Sequence, residues 1–140
     1  MSFTCLSCVL LCLAGGQDAP LEVGKPRPTY GYLGAARPLV GMIPGDTAHF
    51  AFEIKNLKFD GEGKAAYSIA FEIRDEAGKL FFEQKPYNAV AKNYLGGNSL
   101  TCAAHVEIPQ DAKPGAVAWT ITIKDRTTKQ TAVVKGKGKS

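Results

Sequence analysis

After residue 16 the sequence has no helical period. It also has no apolar run approaching the ~20 residues needed to cross a bilayer. No charged side chain precedes Asp18. There is no Gly-rich phosphate loop, no G-x-S-x-G elbow and no dinucleotide-binding fingerprint. The commonest signatures of phosphoryl transfer, serine hydrolysis and hydride transfer are therefore missing. The carboxylates are scattered over outward strand positions and turns beside Lys or Arg, which suits a solvated charged surface rather than a general acid/base pair.

Cysteine is scarce where it would matter. Of the 4 cysteines, Cys5, Cys8 and Cys12 lie in the first sixteen residues and only Cys102 lies beyond them. The opening MSFTCLSCVLLCLAGGQDAP has an apolar run over Cys5–Ala14 followed by small residues, the pattern of a secretory signal cleaved after Gly16. Residues 1–16 are assigned to that signal. A lipid anchor is the less favoured reading, because Leu11 before Cys12 is too large and Cys8 has almost no apolar run ahead of it. Without the signal, one cysteine remains and no internal disulfide is possible. A bridged antibody-type domain is excluded, and the hydrophobic core alone must hold the fold. An exported chain without disulfides leans towards a bacterial envelope or secreted protein.

The 140 residues amount to one domain, with 45% hydrophobic and 21% charged residues. The 15 glycines and 8 prolines punctuate short apolar runs, as expected for strands joined by turns. The net charge of +4 owes much to the end of the chain, KGKGKS. Residues 136–140 read as a solvated basic tail, without the interleaved aromatics that nucleic-acid binding uses. Residues 17–43 read as a Pro/Gly-rich linker with an edge strand over Thr29–Leu33.

From Pro44 onwards the period is two. His49–Lys55 points Phe50, Phe52 and Ile54 one way. Ala66–Arg74 does the same with Tyr67, Ile69, Phe71 and Ile73, and a turn then leads into a short strand at Leu80–Glu83. Residues 85–99 read as the longest irregular loop. Leu100–Ile108 follows, with Leu100, Cys102, Ala104, Val106 and Ile108 inward, and then a strand with Val117, Trp119, Ile121 and Ile123 inward. Thr131–Lys135 closes the pattern. The fold class is all-β: an antiparallel β-sandwich of about seven strands spanning residues 44–135.

The stretch from Pro44 to Val134 resembles bacterial immunoglobulin-like and fibronectin-type-III-like extracellular modules. Three motifs carry the resemblance: the hairpin FEIRDEAGKLFFEQ, the turn IPQDAKPG, and the final hairpin AWTITIKDRTTKQT. The resemblance implies an immunoglobulin-like sandwich acting in adhesion, spacing or assembly. These modules often place a tyrosine after the Pro-Gly turn, where this chain has Val117.

Candidate sites follow from the faces. Cys102 and His105 are three apart on one strand, so they point to opposite sides and cannot act as nucleophile and base. His49 and His105 both face outward. If the 47–55 strand pairs antiparallel with the 100–108 strand, the histidines meet about 5 Å apart at Cβ, with Glu107 near enough to complete a metal site. The segment 85–99 offers Tyr87, Asn88, Asn93 and Tyr94, residue types common in recognition surfaces. Thr120 and Thr122, beside Ala118, Ser68 and Ala70, form a small uncharged outer face. The expected function is a non-catalytic exported module, periplasmic or extracellular, contacting a protein or glycan. No cofactor, nucleic-acid partner or stable membrane insertion is expected. The alternative is a small periplasmic metal-binding protein using His49, His105 and Glu107.

Overall fold

The computed structural model describes residues 19–38 and 43–139. The expected signal, residues 1–16, lies outside them. The described chain forms eight strands and no helix: β1 (Glu22–Val23), β2 (Arg27–Thr29), β3 (Thr47–Lys55), β4 (Lys64–Asp75), β5 (Leu80–Lys92), β6 (Ser99–Glu107), β7 (Ala116–Asp125) and β8 (Thr131–Lys139). One sheet has β3 at its centre, paired on one edge by β1 and β2 and on the other by β6. The second runs β5-β4-β7-β8, and all pairings are antiparallel. The two sheets pack face to face as a sandwich.

The alternation read from the sequence becomes burial. Phe50, Phe52 and Ile54 of β3, Ile69, Phe71 and Ile73 of β4, Val106 of β6, and Trp119, Ile121 and Ile123 of β7 form one core. Ile54, Val106, Ile121 and Ile123 are shut off from solvent altogether. Each such side chain stabilises the fold by about 1.5–3 kcal/mol relative to exposure. Phe71 links the layers, meeting Phe50 and Phe82 edge-on with ring centroids 6.0 and 5.9 Å away.

Four sequence expectations need correction. Residues 85–92 are not loop: β5 runs to Lys92, and only residues 93–98 connect it to β6. Lys85, Pro86 and the lack of clean alternation hide this strand. The ladder slips at that point, pairing Ile69 with Tyr87 but Phe71 with Gln84. The edge strand lies at Arg27–Thr29, upstream of the expected Thr29–Leu33, where the chain turns instead. Part of the expected linker therefore belongs to the β3 sheet, and two short strands in place of the one expected edge strand bring the count from about seven to eight. The final strand does not stop at Lys135. It continues through most of the expected tail to Lys139, because β7 offers a partner all the way to Ala116.

Gly136 in this last segment has a packing role. The Trp119 ring lies against Gly136, and a Cβ there would land on the ring. Ala51, on the opposite side of β3 from Phe50 and Phe52, is buried as well, with Arg27 of β2 directly across from it.

Candidate functional site

The 93–98 connection is held by its own amides. Asn93 donates through Nδ2 to the carbonyls of Gly96 at 2.7 Å and Ser99 at 3.4 Å. Its Oδ1 accepts the Leu95 N–H at 3.1 Å, and its backbone N–H donates to the Gly63 carbonyl. Gly96 and Gly97 take φ of 74° and 85°, the left-handed region open to glycine at no steric cost. Further out, Asn98 Nδ2 donates to Asn56 Oδ1 and Asn56 Nδ2 donates to the Pro20 carbonyl. The result is a short loop fastened on both flanks. Its tip presents Tyr94, 83% exposed, and Leu95, 98% exposed. Lys92 lies over the Tyr94 ring at 5.0 Å from its centroid. Asn93 is thus the scaffold of the loop, and Tyr94 is what it displays.

The other candidates do not join Tyr94. Tyr87 and Asn88 sit on β5 with opposite orientation. Asn88 pairs with Ser68, and Ser68 with Lys124, on the outer face of the second sheet. In the next row Ala70 pairs with Thr122 and Thr122 with Val133. One row further, Glu72 pairs with Thr120 and Thr120 with Lys135. The Thr, Ala and Ser positions therefore share one face with Asn88, but Lys124, Glu72 and Lys135 stand in the same rows, so this face is not the uncharged one expected. Tyr87 instead flanks the open side of the sandwich, about half exposed.

The histidines meet as the register argument anticipated. His49 and His105 are direct cross-strand partners, with ring centroids 6.2 Å apart and planes tilted by 37°. Glu107 pairs with Thr47, one same-face position further along. Among the described residues, no three His, Cys, Asp or Glu side chains gather as a metal site.

Cys102 faces inward opposite Phe52, while His105 faces outward. Burial pushes the Cys102 thiol pKa up, against a smaller opposing effect of its contact with Tyr67. The Tyr67 hydroxyl lies 4.0 Å from the sulfur, and burial first, then Cys102, push its pKa well above the usual tyrosine range. Both groups stay protonated near neutral pH, and each has the other as its polar neighbour.

One feature of the opposite pole had no signal in the sequence. The 75–80 and 109–116 turns enclose a cleft of about 570 Å³, lined by Lys79, Leu80, Phe81, Pro109, Lys113 and Val117 among others. Glu76 closes one wall by accepting the Ala116 N–H at 3.2 Å. The turns are far apart in sequence, so only folding makes the cleft.

No family model matches the chain, and no curated protein matches it. Among solved structures, a family 123 glycoside hydrolase from Clostridium perfringens is similar at 10% identity and TM-score 0.50, over 69% of this chain and 21% of that chain. A Bacteroides uniformis β-glucuronidase is similar at 16% identity and TM-score 0.45, over 69% of this chain and 12% of that one. A conjugative transposon lipoprotein from Bacteroides eggerthii is similar at 14% identity and TM-score 0.42, over 85% of this chain and 96% of that one. The chain thus spans a small part of each glycosidase. The likeness to the family 123 enzyme shows the fold alone: the chain is an all-β sandwich of two antiparallel sheets.

Proposed function

We propose that this chain is a non-catalytic exported module of immunoglobulin-like type that contacts a protein or glycan partner in an envelope or extracellular assembly, with Tyr94 as its leading contact. The observation that carries the reading is the tip of the 93–98 loop. An aromatic ring and a neighbouring leucine stand in solvent on a backbone pinned by Asn93. Such a tip loses little conformational freedom on binding, which is where preorganised contacts gain affinity. The immunoglobulin-like reading is supported by the strand order. β4, β7 and β8 stand as the C, F and G strands of such a sandwich, and β5 as the added C′ strand beside C. Export is supported by the apolar segment at residues 5–14. The lack of catalysis is supported by Cys102 and His105 facing opposite ways. Asn88, Thr120 and Thr122 form a second surface in this reading, and Tyr87 borders the open side.

The test is binding of the purified chain to a glycan array and to immobilised envelope proteins, compared with Tyr94→Ala. The variant is expected to keep its melting temperature and lose at least about tenfold in affinity, as hot-spot tyrosines do. Equal binding by both proteins sinks the assignment of Tyr94.

The cross-strand histidines favour a second reading, a weak metal site with His49 and His105 as two ligands. A tetrahedral ion about 2.0 Å from each ring nitrogen needs centroids roughly 5 Å apart. The 6.2 Å separation requires a modest rotation of the rings to reach that. Titration with Zn²⁺ or Cu²⁺ should then raise the melting temperature, and His105→Ala should abolish the shift. No shift in the parent protein removes this reading.

A further inference from the structure

Three of the sandwich's edges are guarded and one is not. The β5 edge carries Lys85 and Pro86 at a slip in its ladder. The β8 edge carries Lys135 and Lys137, separated by Gly136. The edge beyond β3 is broken into β1 and β2, with Pro28 inside β2. Prolines, lysines, bulges and short strands are the devices that keep sheet edges from pairing. β6 has none of them. It reads SLTCAAHVE, pairs with β3 over nine consecutive positions without a slip, and among the described residues no strand pairs with its other edge.

The backbone groups on that edge can be identified. The Gly24 N–H donates to the Glu53 carbonyl at 2.7 Å, so Glu53 turns its polar groups towards β1 and away from β6. Glu53 is the partner of Thr101. In an antiparallel ladder, a residue turned away from a neighbour faces one that is likewise turned away. Thr101, Ala103 and His105 therefore direct their N–H and C=O groups out of the sheet. The Asn56 N–H donating to Asn98, and Asn93 Nδ2 reaching Ser99, agree with this alternation.

We propose that β6 is a self-association edge, pairing antiparallel with β6 of a second copy about a two-fold axis at Ala103. The sequence of β6 is complementary to itself in that register. Ala103 meets Ala103, Thr101 meets His105, and Ser99 meets Glu107. On the inner face Cys102 meets Ala104 and Leu100 meets Val106. No like charges face each other, and the strand contains no lysine or arginine. Thr101, Ala103 and His105 of each copy supply about six hydrogen bonds across the axis. The pairing joins two four-stranded sheets into one continuous sheet and extends the half-buried row Leu100, Cys102 and Ala104, which packs on the core. An isologous contact of this kind closes as a dimer and does not propagate.

The experiment uses the chain as it accumulates in the producing cell, purified under reducing conditions. Sedimentation at micromolar to millimolar concentration should give the mass of two chains. Ala103→Pro removes an N–H that points away from β3, so the ladder to β3 survives and the variant should sediment as one chain with unchanged circular dichroism. If that variant misfolds, Ala103→Cys and Thr101→Cys decide the matter under mild oxidation. Two Ala103 Cα atoms would lie about 5.5 Å apart, within disulfide range. Two Thr101 Cα atoms would be offset by roughly 13 Å along the strands. Ala103→Cys should give covalent dimer well above the level of the parent chain, and Thr101→Cys should not. A parent protein that stays monomeric throughout overturns the proposal, as does equal crosslinking of the two cysteine variants.

Discussion

The two long sides of the sandwich are built differently. On one side β1 lies over β8, and the layers are tied by polar groups buried between them. The Leu21 N–H donates to Gln130 Oε1 at 2.8 Å. The Asp125 carboxylate, almost wholly buried, accepts the N–H groups of Lys58, Thr127 and Thr128. On the other side β5 and β6 end the two sheets without a polar tie of this kind among the described residues. Tyr67, Phe82, Leu100, Cys102 and Ala104 pack there only partly buried. Apart from the Asn93 bond to the Ser99 carbonyl in the connection itself, the polar approach there is the long Tyr67–Cys102 contact. The closed side fixes the layers; the open side leaves the β6 edge and a partly buried apolar rim.

Mutation should expose this difference. The largest effect is expected at the closed side. Asp125→Ala leaves three backbone N–H groups without their acceptor, at a cost of about 3 kcal/mol in chemical denaturation. A loss well under 1 kcal/mol would mean that water replaces the carboxylate and the side is not closed. On the open side, Leu100→Ala removes a partly buried side chain and should cost about 1 kcal/mol, below the 2–5 kcal/mol of fully buried aliphatic truncations. An equal or larger loss than for Asp125→Ala would reverse the comparison.

The smallest effect concerns acid. Asp60, exposed at the pole beside the 93–98 loop, is held below the usual carboxylate range chiefly by the Lys64 N–H, then by that of Glu62. A depressed folded pKa stabilises the fold above the ordinary carboxylate pKa. That contribution is lost as pH falls through the folded value. Asp60→Asn should therefore be slightly less stable at neutral pH and show a shallower acid limb in its stability profile. An unchanged limb would remove Asp60 from the acid response.

The histidine pair and Thr120/Thr122 were legible because they sit on strands with clean alternation, where side is fixed by parity and register follows from pairing. Tyr87 and Asn88 were misplaced because Lys85, Pro86 and the ladder slip make the middle of β5 look like a loop. Asn56, Asn98 and Asp125 were missed altogether. Each acts by bonding backbone groups distant in sequence, and no local pattern announces that.

By itself, the sequence determined which residues of β3, β4, β6 and β7 point inward, because strand geometry alternates sides whatever the neighbours are. It also determined that only one of the 4 cysteines, Cys102, lies beyond residue 16, so no pair within that stretch can form a disulfide. The tertiary structure alone decided which strands are neighbours, how far β5 and β8 extend, and which side of the sandwich is tied shut. Those are outcomes of pairing between distant segments. A strand's length depends on whether another strand lies beside it, and among the described residues β6 has such a neighbour on one edge alone.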